Sequence, residues 1–481
     1  MTTDMDYPDS RLLIAGQWRA SGSGNTQPVR NPATGEVIGK VELAAASDLE
    51  DALSAAGSGF QIWRATAPDQ RARLLQVAAT LVRERADEMA RVMVLEQGKR
   101  YAEARIESQT AADVIDWCAG ETLRTYGRII PARMPRVEQQ VVKEPVGPVA
   151  AFTPWNFPVN QAVRKIAPAL AAGCSVILKG PEETPASVAL LVQAFVDAGV
   201  RGEVLNLVYG VPAEVSGALI PHPVIRKISF TGSTVVGKQL AELAGRHMKR
   251  ITMELGGHAP VVICEDADLN LAVKLMMVQK FWNAGQTCIS PTRFMVHERL
   301  FEPFVEAFGK AAEALKVGQG GEKDTRMGPL ANSRRVEAVN AMVQDAVSKG
   351  AVLRTGGTPL NRPGYFFAPT ILTDVPASAR IMNEEPFGPV ACVRQFSDMD
   401  EALIEANRLP YGLAAYGFAR SGLLQSRLAS EISSGMVAIN SITLGLPELP
   451  FGGVNDSGYG SEGGPEAIEA FLNTKFVSVS R

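Results

Sequence analysis

Cys288 is the residue of this chain best placed to act as a nucleophile. It lies in Asn283-Ala-Gly-Gln-Thr-Cys-Ile-Ser290, a polar turn that contains glycine and follows a predicted helix. A reactive thiolate needs an exposed, electropositive setting, and a loop can provide one. A lone cysteine can also be a small buried hydrophobic residue, which is how we interpret the other four cysteines. Cys288 is therefore the candidate for covalent chemistry.

A carboxylate and an amide could assist such a nucleophile. Glu254 lies between a strand-like run and a double glycine in Met253-Glu-Leu-Gly-Gly257, where it could act as a general base. Asn156 follows Thr153-Pro-Trp155 at the end of a predicted strand, and its amide could donate to an oxyanion. The alternatives are an ion-paired surface glutamate and a turn-forming asparagine before Phe157-Pro158.

The turn Gly232-Ser-Thr-Val-Val-Gly237 could bind a phosphate. It follows a predicted strand that ends at Phe230, and it begins a helix. Backbone N–H groups and the macrodipole at a helix start favour an anion. The spacing differs from the G-x-G-x-x-G of dinucleotide sites, so an ordinary strand-to-helix turn is the alternative.

Alternating strands and helices must position these residues. Buried strands are predicted at 147–152, 174–178, 204–208 and 227–230, with helices at 159–172, 185–198 and 212–219. A second block has strands at 260–264, 366–372 and 390–396, with helices near 268–282, 299–315, 333–349 and 400–408. The N-terminal part has a predicted helix at 69–98 and a hairpin at 129–143. This alternation indicates βαβ units and two α/β domains with parallel sheets.

Composition excludes several other classes of protein. The chain has 481 residues, 46% of them hydrophobic and 21% charged, with a net charge of −3. This is a globular composition without a basic block, so we expect no nucleic-acid partner. The five scattered cysteines form no C-x-x-C pair and the four histidines no i, i+4 pair, so we expect no metal site. We find neither a membrane-length apolar run nor a secretory signal, so we expect a cytoplasmic protein.

Six motifs together resemble the aldehyde dehydrogenase superfamily in their order and spacing. They are Thr153-Pro-Trp-Asn-Phe-Pro158, Phe230-Thr-Gly-Ser233, Glu254-Leu-Gly-Gly257, Gly285-Gln-Thr-Cys288, Glu385-Pro-Phe-Gly-Pro389 and Pro450-Phe-Gly-Gly453. The resemblance runs from about residue 12 to the C-terminus. It implies an α/β fold with a Rossmann-type cofactor domain, an α/β catalytic domain and a small β oligomerisation element.

The resemblance also implies where these parts lie. The NAD(P)-binding domain takes residues 1–128 and 146–255, and the catalytic domain takes 256–440. The oligomerisation element and C-terminal segment take 129–145 and 441–481. The hairpin and a C-terminal strand around 476–479 are expected to pair between subunits, giving a homodimer or homotetramer, because exposed edge strands need a partner.

By this resemblance Cys288 adds to the aldehyde carbon, and the Asn156 amide with the Cys288 backbone N–H holds the oxyanion. Hydride transfer leaves a thioester, and Glu254 activates the water that hydrolyses it. The CoA-acylating branch generally lacks that glutamate, so the implied product is a free carboxylate. A nucleotide-binding structural protein without activity and a plain thiol esterase are the alternatives from other classes.

The implied cofactor is NAD or NADP. The matching contact positions are Trp155, Lys179, Glu182, Gly232, Ser233, Glu385 and Phe387. Lys179 and Glu182 match positions that face the adenine ribose. A carboxylate there accepts a hydrogen bond from a ribose hydroxyl and repels a 2′-phosphate, which favours NAD. Arg335 stands where many relatives have glutamine and could favour NADP instead.

The implied substrate is a carboxylated semialdehyde. The segments Val142-Lys-Glu-Pro-Val-Gly-Pro148 and Cys288-Ile-Ser-Pro-Thr-Arg-Phe294 are similar to α-ketoglutaric and succinate semialdehyde dehydrogenases. In that branch Arg164 matches an arginine that pairs the distal carboxylate. Trp282 stands where the branch commonly has a second arginine, and beside the leucines of 444–449 it would make the pocket larger and more apolar. An aromatic or longer aliphatic aldehyde is therefore the alternative.

Overall fold

Two large sheets and the helices that cover them make up most of the chain. The structure is a computed structural model and describes residues 7–481; residues 1–6, part of the N-terminal segment in which we find no secretory signal, lie outside this range. The helices are α1 (Ala46–Ala65), α2 (Pro68–Glu84), α3 (Ala86–Glu96), α4 (Tyr101–Thr122), α5 (Pro158–Ala172), α6 (Pro185–Asp197), α7 (Pro212–Leu219), α8 (Thr234–Arg246), α9 (Leu269–Phe281), α10 (Glu298–Glu313), α11 (Ser333–Ser348), α12 (Met399–Ala406), α13 (Gly422–Glu431) and α14 (Gly464–Glu469). In the described range, no helix has both the length and the apolar character to cross a membrane.

The strands are short, as expected for sheets covered by helices. They are β1 (Leu12–Ile14), β2 (Gln17–Arg19), β3 (Thr26–Arg30), β4 (Val37–Glu42), β5 (Arg128–Ile130), β6 (Val137–Pro145), β7 (Val149–Phe152), β8 (Val176–Lys179), β9 (Leu205–Val208), β10 (Lys227–Thr231), β11 (Arg250–Glu254), β12 (Ala259–Ile263), β13 (Pro291–His297), β14 (Val352–Thr355), β15 (Thr370–Thr373), β16 (Val390–Phe396), β17 (Tyr411–Gly412), β18 (Ala414–Phe418), β19 (Met436–Ile439), β20 (Val454–Asn455), β21 (Gly458–Tyr459) and β22 (Leu472–Ser480).

The first large sheet is doubly wound. Its order is β2-β1-β9-β8-β7-β10-β11-β21, and the strands from β9 to β11 run parallel. Every residue of β7, β8, β9 and β10 is buried, as the predicted parallel sheet requires. The chain leaves β7 in one direction for β8 and β9 and later returns to β10 on its other side. The carboxyl ends of β7 and β10 therefore flank a switch point, where such sheets bind ligands.

The second large sheet meets the first through a short connection. Its order is β14-β15-β16-β13-β12-β18-β19, parallel except for the edge strand β14. Strand β11 ends at Glu254 and β12 begins at Ala259, so only four residues separate the two sheets along the chain. The amino end of β12, and those of the parallel strands β13 and β16 that follow it in the sheet, are consequently directed toward the carboxyl ends of the first sheet.

The predicted hairpin exists, but its expected pairing is wrong in one respect. Strand β6 pairs antiparallel with β5 and, over nine residues from Val137↔Ser480 to Pro145↔Leu472, with β22. The C-terminal strand thus pairs with the hairpin of its own chain rather than between subunits. The nine paired residues of β6 provide the backbone hydrogen bonds along the inner edge of β22. The outer edges of β5 and β22 remain for contacts beyond this sheet.

Two other predicted elements differ in extent. The single helix expected over 69–98 is two helices, α2 and α3, which meet at Arg85 (φ −95°, ψ 7°). The strand expected over 366–372 begins only at Thr370, directly after Pro369. Proline has no N–H to donate to a ladder, and it therefore limits the strand on that side.

Helix α5 is the buried element that carries several candidate residues. It begins with Pro158 at its first position and ends at Gly173, whose φ of +96° closes it in the left-handed conformation. The α1 residue Trp63, 2% exposed, donates from Nε1 to the Leu170 carbonyl oxygen at 2.8 Å. Helix α1 therefore fixes the far end of the helix on which the site is built.

We predict that Trp63→Ala lowers the free energy of unfolding by about 3–5 kcal/mol, since it removes a fully packed indole. Trp63→Phe keeps most of the packing, loses one hydrogen bond and should lose about 1 kcal/mol. Differential scanning calorimetry measures the midpoint temperature of the first unfolding transition. We expect it to be lowest for Trp63→Ala, intermediate for Trp63→Phe and highest for the wild type. Equal midpoints for Trp63→Ala and the wild type would contradict the role given to this contact.

Candidate active site

The candidate residues collect where the two large sheets face each other. Asn156 follows β7, Ser233 follows β10 and Glu254 ends β11, all at carboxyl ends of the first sheet. Cys288 precedes β13 and Glu385 precedes β16, at amino ends of the second sheet. The sequence prediction based on carboxyl ends therefore applies to one side of the site, and the second sheet supplies the other side.

The turn that carries Cys288 has an unusual backbone. Asn283, Ala284 and Gly285 are consecutive residues in the left-handed region, with φ of 49°, 54° and 72°. For the two residues with a Cβ this conformation is strained. A Cβ on Gly285 would lie 2.2 Å from the Gly388 carbonyl oxygen, so only glycine fits there. The chain thus reverses sharply after α9 and returns Cys288 to the centre of the site.

Buried amides hold this strained turn in place. Asn283 accepts a hydrogen bond at Oδ1 from Gln97 Nε2 (2.9 Å) and donates from Nδ2 to the Asn156 carbonyl oxygen (2.9 Å). Gln286 donates to the Asn283 carbonyl oxygen at 3.1 Å and accepts from the Ala331 N–H at 2.9 Å. The backbone of the Cys288 turn is therefore tied directly to the loop that carries Asn156.

A buried ion pair fixes that second loop. Lys99 Nζ lies 2.5 Å from Glu107 Oε2 and also donates to the Asn156 carbonyl oxygen at 2.8 Å. Glu107 Oε1 accepts from the backbone N–H groups of Val159 (3.0 Å) and Asn160 (3.1 Å), the free donors at the start of α5. Lys99 and Glu107 together set the position of Asn156 relative to α5.

The Asn156 side chain reaches toward the Cys288 turn. Its Nδ2 donates to the Gln286 carbonyl oxygen at 3.1 Å, and its Oδ1 has no hydrogen-bond partner among residues 7–481. Asn156 and Cys288 both line one cavity. The structure therefore brings these two residues together, and the role of the amide as an oxyanion donor stays a prediction.

The surroundings of Cys288 favour the protonated form of its thiol. Burial, followed by the nearby charges of Glu385 and Glu254, raises its pKa to about 12, although two backbone N–H groups act in the opposite direction. The other four cysteines are buried, as predicted. Cys288 differs from them because it is only partly covered and lies at the junction of two cavities.

Glu254 is a buried carboxyl group without a fixed partner. It is 2% exposed, and in the described part of the chain neither of its oxygens has a hydrogen-bond partner. Burial and the neighbouring Glu462 raise its pKa well above the usual range, while Lys165 and Arg164 lower it. The surface ion pair considered as an alternative is therefore wrong. A carboxyl group in this setting has oxygens available to bind a water molecule, and its role as a general base stays a prediction.

Sequence reasoning missed the ion pair beside Glu254. Lys165, which has no exposed surface, contacts the Glu462 carboxylate and donates to Thr231 Oγ1 at 2.6 Å. A lysine in the otherwise apolar stretch of α5 is a signal for a buried partner. The partner lies 297 residues away, so no local pattern could have identified it.

The first of two cavities, which we call the Phe387 cavity, has a volume of about 350 Å³. Its walls bring together most of the residues predicted from the resemblance: Trp155, Asn156, Gly232, Ser233, Cys288, Arg335, Glu385 and Phe387. The ring of Trp155 packs edge-on against Phe387, with centroids 5.6 Å apart. Ser233 caps α8 by accepting from the Val236 N–H at 3.4 Å. The start of a helix thus borders the cavity, as an anion site needs.

Two further residues of this cavity carry charge. Glu385 Oε1 accepts from the Gly257 N–H at 3.1 Å, and burial raises the pKa of this carboxyl group to about 7. Arg335 donates from one Nη to the carbonyl oxygens of Pro386 (2.5 Å) and Phe387 (3.3 Å). Arg335 therefore supports the loop in which Phe387 adopts a left-handed φ of +43°.

Lys179 and Glu182 lie elsewhere, at the carboxyl end of β8. Their side chains form an ion pair at 2.7 Å, and Glu182 Oε1 also accepts from the Gly210 N–H at 2.9 Å. Both carboxylate oxygens of Glu182 thus have a donor. The charge of Lys179 is compensated within the protein.

The second cavity, which we call the Trp282 cavity, has a volume of about 340 Å³. Its walls are mostly apolar: Ile106, Phe157, Val278, Trp282, Ile289, Ile442, Leu444, Leu446, Pro447 and Phe451. Both residues predicted to bind substrate, Arg164 and Trp282, line it together with Cys288. Of the residues that the structure describes, only Cys288 and Gln161 line both cavities.

Arg164 is a buried cation with a fixed position. Its Nη1 donates to the Glu462 carbonyl oxygen at 2.9 Å and its Nη2 to the Gly445 carbonyl oxygen at 2.6 Å. The guanidinium lies over the Phe451 ring, 5.1 Å from its centroid. The Trp282 cavity therefore combines an apolar interior with one positive charge. Over residues 7–481, no group of three or more histidine, cysteine or acidic residues could hold a metal ion.

Comparison with known proteins identifies the family. Residues 18–477 match the Aldehyde dehydrogenase family. The chain is 50% identical over 471 residues to the 4-(hydroxymethyl)benzenesulfonate dehydrogenase of Comamonas testosteroni, with 98% of each chain covered. It is 40% identical over 480 residues to the succinate-semialdehyde dehydrogenase [NADP(+)] of Escherichia coli strain K12, with 99% of this chain and 100% of the relative covered.

A solved structure agrees over the same length. The crystal structure of succinate-semialdehyde dehydrogenase from Burkholderia pseudomallei superposes with a TM-score of 0.96 at 39% identity, with 98% of each chain covered. The α/β fold and the resemblance drawn from the six motifs are thereby confirmed. The chain belongs to the aldehyde dehydrogenase family and is an NAD(P)-dependent aldehyde dehydrogenase.

Proposed function

We propose that this enzyme oxidises an aromatic aldehyde that carries an anionic group to the corresponding carboxylate. The observation that carries the proposal is the Trp282 cavity, in which Trp282 and Arg164 line one apolar space that opens onto Cys288. Aromatic walls favour a ring, and the guanidinium offers the one positive charge that a distal anion needs. The Comamonas relative named for a benzenesulfonate supports this substrate class.

A carboxylated semialdehyde, such as α-ketoglutaric or succinate semialdehyde, is the second candidate. Arg164 favours it equally, and the Escherichia coli relative is named for such a substrate. A short aliphatic chain would leave Trp282 and the leucines of the cavity without contact, and this is why we place it second.

The reaction that we propose begins at Cys288. Once the thiol has lost its proton to water, the sulfur adds to the aldehyde carbon, and the carbonyl oxygen becomes an oxyanion that the Asn156 Nδ2 and the Cys288 backbone N–H stabilise. One N–H of Asn156 Nδ2 is used by the Gln286 carbonyl oxygen, and the second N–H remains for the oxyanion. NAD(P), when bound, supplies the acceptor for the hydride that leaves this carbon, so that a thioester remains on Cys288.

Glu254 acts in the second half of the proposed reaction. Its carboxylate takes a proton from water, the hydroxide attacks the thioester carbon, and the C–S bond breaks to release the carboxylate product. The ion pair of Lys165 with Glu462 lies beside Glu254; the Glu462 charge raises the pKa of Glu254, and the charges of Lys165 and Arg164 act in the opposite direction. Because this base is present, we propose hydrolysis rather than transfer of the acyl group to CoA.

The Phe387 cavity fits NAD(P) in its donor set. Asn156 Oδ1 and Arg335 Nε are buried polar atoms of this cavity that have no partner within the described residues, and Glu385 uses one oxygen for Gly257. A Cβ on Gly256 would lie 2.7 Å from Glu385 Oε2, so glycine keeps the cavity open there. Trp155, Gly232, Ser233, Glu385 and Phe387 would hold the cofactor, as the resemblance implies.

We propose a preference for NAD over NADP. Lys179 is neutralised by Glu182, and the Glu182 carboxylate would repel a 2′-phosphate bound beside it. We also propose the domain limits given above.

We further propose that the enzyme is a homodimer or homotetramer, assembled through the sheet of β5, β6 and β22. The exposed side chains Ile129, Phe476 and Val479 on that sheet support assembly.

The Cys288 thiol should react slowly with iodoacetamide in the enzyme alone. With its pKa raised to about 12, the thiolate fraction and the alkylation rate should increase about tenfold per pH unit between about pH 7 and 9. Mass spectrometry of the modified peptide measures this rate, and Cys288→Ser is the control for the four buried cysteines. A rate that is flat over this range would show that the thiolate already exists.

Glu254→Gln should form the acyl-enzyme but release it slowly, by a factor of roughly 10²–10⁴, because the general base is lost. Stopped-flow absorbance should show one equivalent of NAD(P)H per active site, followed by slow turnover, and intact-mass analysis should show the acyl adduct. Glu306→Gln, the same substitution at an exposed position of α10, is the control for the loss of charge. A near wild-type steady-state rate would remove Glu254 from its proposed role.

The substrate class is tested with four aldehydes and both cofactors: 4-formylbenzenesulfonate, benzaldehyde, succinate semialdehyde and hexanal. We expect the aryl sulfonate to exceed succinate semialdehyde at least about tenfold in kcat/KM, or about 1.4 kcal/mol. We also expect a higher kcat/KM with NAD than with NADP. If succinate semialdehyde is preferred, the second candidate function replaces the first.

A further inference from the structure

One face of α5 forms the polar side of the Trp282 cavity. Asn160, Gln161 and Arg164 line the cavity within one turn of this helix, directly after Phe157. Residues three and four positions apart on a helix lie on the same face, with Cβ atoms about 5–6 Å apart. The two amides and the guanidinium thus form one continuous strip, which we call the α5 strip.

Within the described residues, the amide oxygens of the α5 strip and the Thr287 hydroxyl are the buried polar atoms of this cavity that have no hydrogen-bond partner. Glu107 pairs with Lys99, Asp113 accepts from Arg83 at 2.8 Å, and Gln279 donates to Tyr416 at 2.8 Å. In the described part of the chain, Asn160 Oδ1 and Gln161 Oε1 are buried without a hydrogen-bond partner, and the Gln161 residue as a whole is only 6% exposed. Buried polar atoms are rarely left unpaired unless a ligand completes them.

These amides can present donors to an anion. Since no hydrogen bond holds either amide oxygen, a half-turn of the terminal torsion directs the NH₂ group into the cavity without breaking a bond to oxygen. The partner of this strip therefore needs several acceptor oxygens close to Arg164.

The number of donors on Arg164 defines that partner further. Each terminal nitrogen of a guanidinium carries two N–H groups. Nη1 and Nη2 each give one to a main-chain oxygen, of Glu462 and of Gly445. One N–H remains on each, which matches the two oxygens of a carboxylate. A sulfonate has three oxygens, so one still requires a donor.

We propose that Asn160 is a specificity-determining residue, which donates to the third oxygen of an aryl sulfonate whose other oxygens are bound by Arg164. Asn160 lies one helical turn before Arg164 on the same face, and its backbone N–H is fixed by Glu107. The site therefore prefers a sulfonate to a carboxylate on the same ring. This inference rests on the proposed function, since it takes the Trp282 cavity as the aldehyde site.

The test compares 4-formylbenzenesulfonate, 4-formylbenzoate and benzaldehyde with the wild type, Asn160→Leu and Asn160→Asp. For Asn160→Leu we expect the ratio of kcat/KM for sulfonate over benzoate to fall about 10- to 100-fold, mainly through KM, because one hydrogen bond to a charged group is lost. For Asn160→Asp both anions should lose against benzaldehyde, because a like charge faces them.

The control is Asn270→Asp, the same substitution at an exposed position of α9. An unchanged sulfonate-to-benzoate ratio in Asn160→Leu, or an equal loss for all three aldehydes in both variants, would overturn the assignment of Asn160. If the wild type oxidises benzaldehyde and the benzoate in that case, the proposed function stands. If it oxidises none of the three but does oxidise succinate semialdehyde, the aryl substrate and the assignment of Asn160 both fail.

Discussion

The buried ion pair of Lys99 and Glu107 is the interaction on which the geometry of the site depends. Lys99 holds the Asn156 carbonyl oxygen, and Glu107 binds the first free N–H groups of α5. Asn283 then binds the same Asn156 carbonyl oxygen and so joins the strained Cys288 turn to this framework. Removing either charge would leave the other buried without compensation, which typically costs about 3–5 kcal/mol. The loop of Asn156 and the turn of Cys288 are thus held by a contact that touches none of the reacting atoms.

Burial opposes the ionised form of both Cys288 and Glu254, and the charge of Glu254 raises the pKa of Cys288 further. A thiolate and a carboxylate side by side would repel each other. In the proposed reaction the first half requires the Cys288 thiolate and the second half requires the Glu254 carboxylate. The two charges are therefore not needed at the same time.

Much of this arrangement could be predicted from the sequence, because it depends on local patterns. The strands β7 to β10, the helices between them and the loops of Asn156, Ser233 and Cys288 follow from periodicity and glycine placement. The partner of Lys165 could not be predicted, since Glu462 is distant in the chain and lies in a polar segment that carries no period. The pairing of β22 with β6 could not be predicted either, because hydrophobic alternation does not specify which edge of a sheet a strand joins.

The sheet of β5, β6 and β22 has a consequence for the isolated chain. Its central strand is satisfied on both edges, but β22 offers a nine-residue outer edge that ends near the C-terminus. An open edge of this length is a template for further strands and invites irregular edge-to-edge aggregation. A closed assembly that covers this edge removes the hazard and raises the free energy of unfolding by mass action. The resistance of the enzyme to heat would then increase with its own concentration, although no residue of the active site takes part.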